Sequence, residues 1–104
     1  MLLINNEEWD LQFVDPYSSI LLGPNGEYSL GVTIPEWRKI YINNELYGIQ
    51  LKRVLSHEIA HAEFATRGLL VPSYVEEVMA DIISDNIVDT YNLTNEICNC
   101  LKTC

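Results

Sequence analysis

Both histidines of this chain fall in one short stretch, Ser56-His57-Glu58-Ile59-Ala60-His61-Ala62, and no other feature constrains the fold as tightly. Leu51, Val54, Leu55, Ile59, Ala62 and Ala65 recur around them at helical spacing. Residues four apart share one face of a helix, so His57 and His61 project the same way. Two imidazoles so placed can share a metal ion, and Glu58, one position on, can reach a water held by that ion. A chain with two histidines would carry this arrangement by chance roughly 0.2% of the time. The plainer reading is two solvent-facing histidines, and the apolar flanks on both sides argue against it.

The histidine count then forces a partner element. A zinc site that keeps a position open for chemistry takes three protein ligands, and no third histidine exists. The remaining ligand must be Asp, Glu or Cys. Glu77-Val78-Met79-Ala80-Asp81 offers two carboxylates four apart, again on one helical face. Glu77 is the expected ligand, with Glu76 the weaker choice beside Asp85 and Asp89 on the solvent side. Asp81 is expected to accept a hydrogen bond from the far ring nitrogen of a ligand histidine and so fix its tautomer. Cys98, Cys100 and Cys104 cluster in the last seven residues, an odd number and a poor disulfide framework. They read as reduced thiols on a short amphipathic segment, with a soft-metal site on Cys100 and Cys104 a minor alternative.

The rest of the chain divides at about Tyr47, strand-like and turn-rich before it and helical after it, which predicts an α+β fold. Trp9, Leu11 and Phe13 alternate with Asp10 and Gln12, the pattern of a half-buried strand that Asp15-Pro16 ends. Tyr17 to Leu22 fits a strand or one helical turn, and Gly23-Pro24-Asn25-Gly26 is a turn. Tyr28 to Ile34 and Arg38 to Asn43 are extended and should pair antiparallel through the Pro35 turn. A first helix is predicted from Leu46 to Arg67 with Gly68 as its C-terminal cap. A second is predicted from Tyr74 to Thr90, opened by Ser73 in a capping box with Glu76. Val75, Val78, Met79, Ile82, Ile83, Ile87 and Val88 form its apolar stripe, and Thr94 opens a short last helix. The expected architecture is a small N-terminal antiparallel sheet packed on two or three helices.

At 104 residues the chain fits one compact domain, and 48% apolar residues mark it as globular. Fifteen acids against 6 bases give a formal charge of −9, which supplies no basic footprint for nucleic acid or an anionic membrane. Met1-Leu2-Leu3-Ile4 is apolar but too short and unflanked for a signal peptide, so a cytoplasmic site is expected.

His57-Glu58-x-x-His61 followed by Glu77-x-x-Ala80-Asp81 resembles the gluzincin branch of zinc metallopeptidases. The compact layout is similar to the ImmA/IrrE-type and phage-encoded zincin-like peptidases. The resemblance spans about residues 28 to 90 and implies a short twisted sheet against the helix that bears the histidines. It also implies a Zn²⁺ cofactor on His57, His61 and Glu77, Glu58 as the general base, and a peptide or protein substrate. In that family an extended peptide lies on the edge strand before the active-site helix, which here would be Lys39 to Asn43. Trp37, Tyr41 and Tyr74 are then expected to contact substrate. The family's oxyanion-steadying histidine has no counterpart, which leaves Tyr41, Tyr74, Tyr91 or an arginine for that task. Metzincins need a third histidine, and peptide deformylase takes a cysteine from before the motif, so neither pattern fits. Two rival readings remain: a non-catalytic interaction protein stabilised by zinc, and a metal-free phage-type accessory protein.

Overall fold

Two antiparallel helices lie beside a four-stranded sheet, and the strand order explains where the histidine helix must sit. The elements, in order, are β1 (Leu2–Ile4), β2 (Glu7–Val14), β3 (Gly31–Ile34), β4 (Lys39–Asn43), α1 (Gly48–Thr66) and α2 (Ser73–Leu101). Short 3₁₀ turns occupy Ser19–Leu21 and Pro35–Trp37. This computed structural model describes residues 2–69 and 71–101, the side chains of 87–95 and 98–101 excepted. The expectations for Ile87, Val88, Asp89, Tyr91, Thr94 and the three cysteines therefore fall outside the described side chains.

The fold is α+β as expected, but the sheet is mixed where an antiparallel one was predicted. Its order is β1-β2-β4-β3. The β1/β2 and β3/β4 pairs are antiparallel, whereas β2 and β4 run parallel, with Leu11 opposite Ile40 and Phe13 opposite Ile42. Alternation of apolar residues fixes which face of a strand is buried and says nothing of the direction of its neighbour. Strand β1 has a local signal that the alternation pattern does not carry. Asn5 and Asn6 both take positive φ, 50° and 67°, the backbone of a tight two-residue hairpin in which asparagine is favoured.

The turn through Pro35 folds β3 back on β4, with Arg38 at φ 52° completing the reversal. Consequently β4 is flanked on both sides, by β2 and β3, and is not the edge that the family resemblance implied. The edge strand on this side is β3. The central position of β4 agrees with its burial: Ile40 and Ile42 have no exposure, and Tyr41 and Asn43 are nearly as enclosed.

Ile40 and Ile42 join Ile4, Trp9 and Ala62 in the main core, against which Leu51, Val54, Leu55 and Ile59 of α1 pack. The opposite side of the sheet is closed by the segment between β2 and β3, where Leu21 is fully buried and its carbonyl accepts from the Ser29 amide. Helix α1 ends as its sequence implies. Gly68 takes φ 64°, its amide reaches the Ala65 carbonyl and the Leu69 amide reaches that of Phe64.

Helix α2 departs from expectation in three ways. It runs unbroken past Thr94, so the described residues hold two long helices and no third. Its first turn is closed by the Pro72 carbonyl, which accepts from the amides of Val75 and Glu76, while the Glu76 side chain turns to His61 and makes no capping box. Its apolar stripe packs only in part: Met79 joins Ala80 against Ala60 and Phe64 of α1, while Val78 and Ile82 are more than half exposed. The small Ala60 and Ala80 let the two helices approach closely.

Candidate metal centre

Helix spacing puts His57 and His61 on adjacent turns of α1, and the close helix pairing brings α2 against them. Each histidine is held through its Nδ1 by a carboxylate from α2. The Nδ1–H of His57 donates to Asp81 Oδ1 at 3.0 Å, and that of His61 donates to Glu76 Oε2 at 2.8 Å. In a neutral imidazole whose proton sits on Nδ1, the Nε2 keeps its lone pair. Those two Nε2 atoms face one another at 3.2 Å. Between them reaches Glu77, with Oε1 2.9 Å from His61 Nε2 and Oε2 3.3 Å from His57 Nε2.

Two imidazole nitrogens and a carboxylate turned on one point are an arrangement that a cation resolves. The dimensions fit zinc: four-coordinate bonds of about 2.0–2.1 Å give ligand-to-ligand edges of about 3.3–3.4 Å. One donor atom from each of His57, His61 and Glu77 lies within 4.8 Å of the other two, the only such grouping of His, Cys, Asp or Glu among the described residues. Two imidazoles and a carboxylate also form a donor set of the mixed nitrogen and oxygen kind that zinc accepts. Glu77 itself is about half exposed, so the point of convergence is open to solvent.

Glu58 sits beside this point and binds neither histidine closely. Its Oε2 is 4.0 Å from His57 Nε2, while its Oε1 accepts from the Thr33 hydroxyl at 2.8 Å. The same hydroxyl lies 3.0 Å from the Glu58 backbone carbonyl, so its one proton ties Thr33 of β3 to this turn of α1. Burial pushes the Glu58 carboxyl above its ordinary value; the Thr33 hydrogen bond and the neighbouring histidines oppose that shift, and Glu77 adds to it. Gly31 is what permits the close approach of strand and helix. A Cβ there would come within 2.9 Å of Glu58 Cγ and 3.1 Å of Val54 Cγ1, so any side chain at this position would displace the Glu58 side chain or the strand.

These groups line one cavity of about 760 Å³, floored by α1 and walled by α2 on one side and β3 with the preceding segment on the other. All five residues expected at the site, His57, Glu58, His61, Glu77 and Asp81, lie on it. The aromatic residues expected to contact substrate do not. Tyr41 is buried in the middle of β4, and Trp37 and Tyr74 point into solvent elsewhere. Tyr28 and Arg53 line the cavity in their place.

Sequence reasoning missed three positions. Glu76 was assigned to the solvent face, yet it orients His61. Its only signal is that a helix start bearing Glu76-Glu77-x-x-x-Asp81 offers one carboxylate more than a lone ligand and its partner require. Thr33 and Gly31 carry no local signal, because their importance depends on the β3/α1 approach. Among the described residues no helix is long and apolar enough to cross a membrane. No family model, no curated protein and no solved structure matches this chain, so whatever the site does must be argued from its own geometry.

Proposed function

We propose that this chain is a zinc-dependent peptidase, with His57, His61 and Glu77 as the metal ligands and Glu58 as the group that moves the proton. One observation carries the reading: two imidazole Nε2 atoms and a carboxylate converge at tetrahedral spacing, with a second, buried carboxylate 4.0 Å away that none of them uses. Zinc, when bound, supplies Lewis acidity, bringing the pKa of a water towards about 7 and polarising a carbonyl.

The remaining steps belong to the protein. Glu58 has one oxygen occupied by Thr33 and the other, Oε2, turned to the site. That free oxygen is placed to take a proton from the attacking water and return it to the leaving amine. Burial favours the protonated form of Glu58, which suits a base that must hold the proton between the two transfers. Asp81 and Glu76 keep the histidine rings from turning. Strand β3 is the natural shelf for an extended peptide. Its outer edge carries no strand partner among the described residues, and residues 31 to 33 line the cavity beside Glu58. A cytoplasmic location remains part of this proposal.

A second reading has an observation of its own. Among the described residues the buried apolar contact between the helices is Ala60 and Phe64 against Ala80 and Met79. A metal joining α1 to α2 would stabilise the pair without any catalysis. That reading leaves Glu58 unexplained, because a structural centre has no use for a buried carboxylate held just outside the ligand set.

The two readings part on hydrolysis. A mixture of unstructured peptides incubated with the zinc-loaded protein should be cleaved, cleavage should stop on treatment with a chelator, and added zinc should restore it. A protein that binds zinc and leaves every peptide intact supports the structural reading.

A further inference from the structure

The charged residues around the cavity are unequally committed. Each of the four acids already has a partner: Glu58 holds Thr33, Glu76 holds His61, Asp81 holds His57, and Glu77 spans both histidines. Arg53 is the single formal cation on the lining, and among the described residues it makes neither an ion pair nor a side-chain hydrogen bond. The chain's other two arginines do not share this condition. Arg38 is paired with Glu7 and Arg67 with Glu63. In a protein of net charge −9, a guanidinium at the edge of an acid-lined cavity, with no anionic partner among the described residues, is placed to take an anion from a ligand.

Its position is set by the helix. Arg53 precedes His57 by four residues, so it shares the face of His57 and His61, about 6 Å further towards the start of α1. An extended peptide advances about 3.3 Å per residue. The convergence of His57, His61 and Glu77 lies between the two histidines, about 9 Å along the axis from Arg53, so a chain lying along the β3 edge with a carbonyl there would place the group about two to three residues away against Arg53. The planar guanidinium presents paired donors that match a carboxylate.

Resting on the peptidase reading above, we propose that Arg53 selects the substrate: it binds a peptide carboxylate about two to three residues from the bond to be cut. That carboxylate is the chain's own C-terminus or an Asp or Glu side chain, two sources of one chemistry. Arg53 is a binding residue in this account and takes no part in the proton transfers.

The test uses zinc-loaded Glu58→Gln protein, so that peptides bind without turnover. Three probes are titrated by NMR: acetyl-trialanine with a free C-terminus, the same peptide as the C-terminal amide, and acetyl-Ala-Asp-Ala-amide. The free acid or the aspartyl peptide should bind about tenfold more tightly than the neutral amide. Adding Arg53→Gln should bring the carboxylate probe down to the level of the amide, and Arg53→Lys should restore only part of the preference. Which of the two acidic probes is favoured names the source. Three results overturn the proposal: no preference for carboxylate, a preference that survives Arg53→Gln and so belongs to the zinc, or no binding of any probe at millimolar concentration. Zinc stoichiometry measured on the same samples separates this failure from that of the site. If Arg53→Gln binds zinc as the parent does, only the role of Arg53 is lost; if the parent itself binds no zinc, the metal centre is wrong.

Discussion

Replacing His57 by alanine is expected to cost the protein its zinc, with affinity falling by about a thousandfold or more. The expectation follows from how few ligands there are. A site made of two imidazoles and one carboxylate loses one of its three ligands, and the chain has no third histidine to recruit. Truncation also strands Asp81, whose hydrogen bond to His57 Nδ1 at 3.0 Å would lose its donor. Asp81→Asn should be milder, about ten- to a hundredfold, because it loosens the ring without removing the ligand. Competition titration against a chromogenic chelator reads both. The thermal midpoint should follow, since zinc that binds only the folded chain raises it and the His57→Ala protein should not respond to added metal.

Glu58→Gln is expected to do the reverse, retaining zinc and losing hydrolysis by about a hundred- to ten-thousandfold. Glutamine fills the same space and can still accept from Thr33, so the Thr33 contacts and the Gly31 approach survive. What it cannot do is take a proton. In zinc-free protein the substitution should leave stability unchanged or raise it by about 1 kcal/mol, because a carboxylate 7% exposed is costly to keep ionised. A peptide cleavage assay, with urea unfolding of the zinc-free forms alongside, reads both effects. Undiminished cleavage by Glu58→Gln would remove Glu58 from the chemistry.

How much of this is legible in the sequence depends on whether the information is local. Helix α1, its Gly68 terminus and the β3/β4 hairpin through Pro35 follow from spacing and turn chemistry within a few residues. So does the pairing of Asp81 with His57, once a short loop folds one helix on the other. The parallel β2/β4 pair does not, because it joins strands separated by a long connection whose path no local pattern encodes. The burial of β4 and the edge position of β3 follow from that same unencoded choice, which is why the strand edge expected at Lys39 to Asn43 lies instead at Gly31–Ile34. On α2 the apolar stripe misleads for a physical reason. The face that must carry Glu77 and Asp81 to the histidines can spare only Ala80 and Met79 for packing, so Val78 and Ile82 turn outward. Thr33 and Arg53 acquire roles only through what the fold sets opposite them.

The central claim is that one metal ion joins α1 to α2 through His57, His61 and Glu77. The most direct test is bound-zinc stoichiometry and affinity in the wild-type protein beside Glu77→Gln. One tightly bound equivalent per chain in the wild type, with affinity reduced by orders of magnitude in the variant, is the expected result. Equal stoichiometry and equal affinity in the two proteins would contradict it.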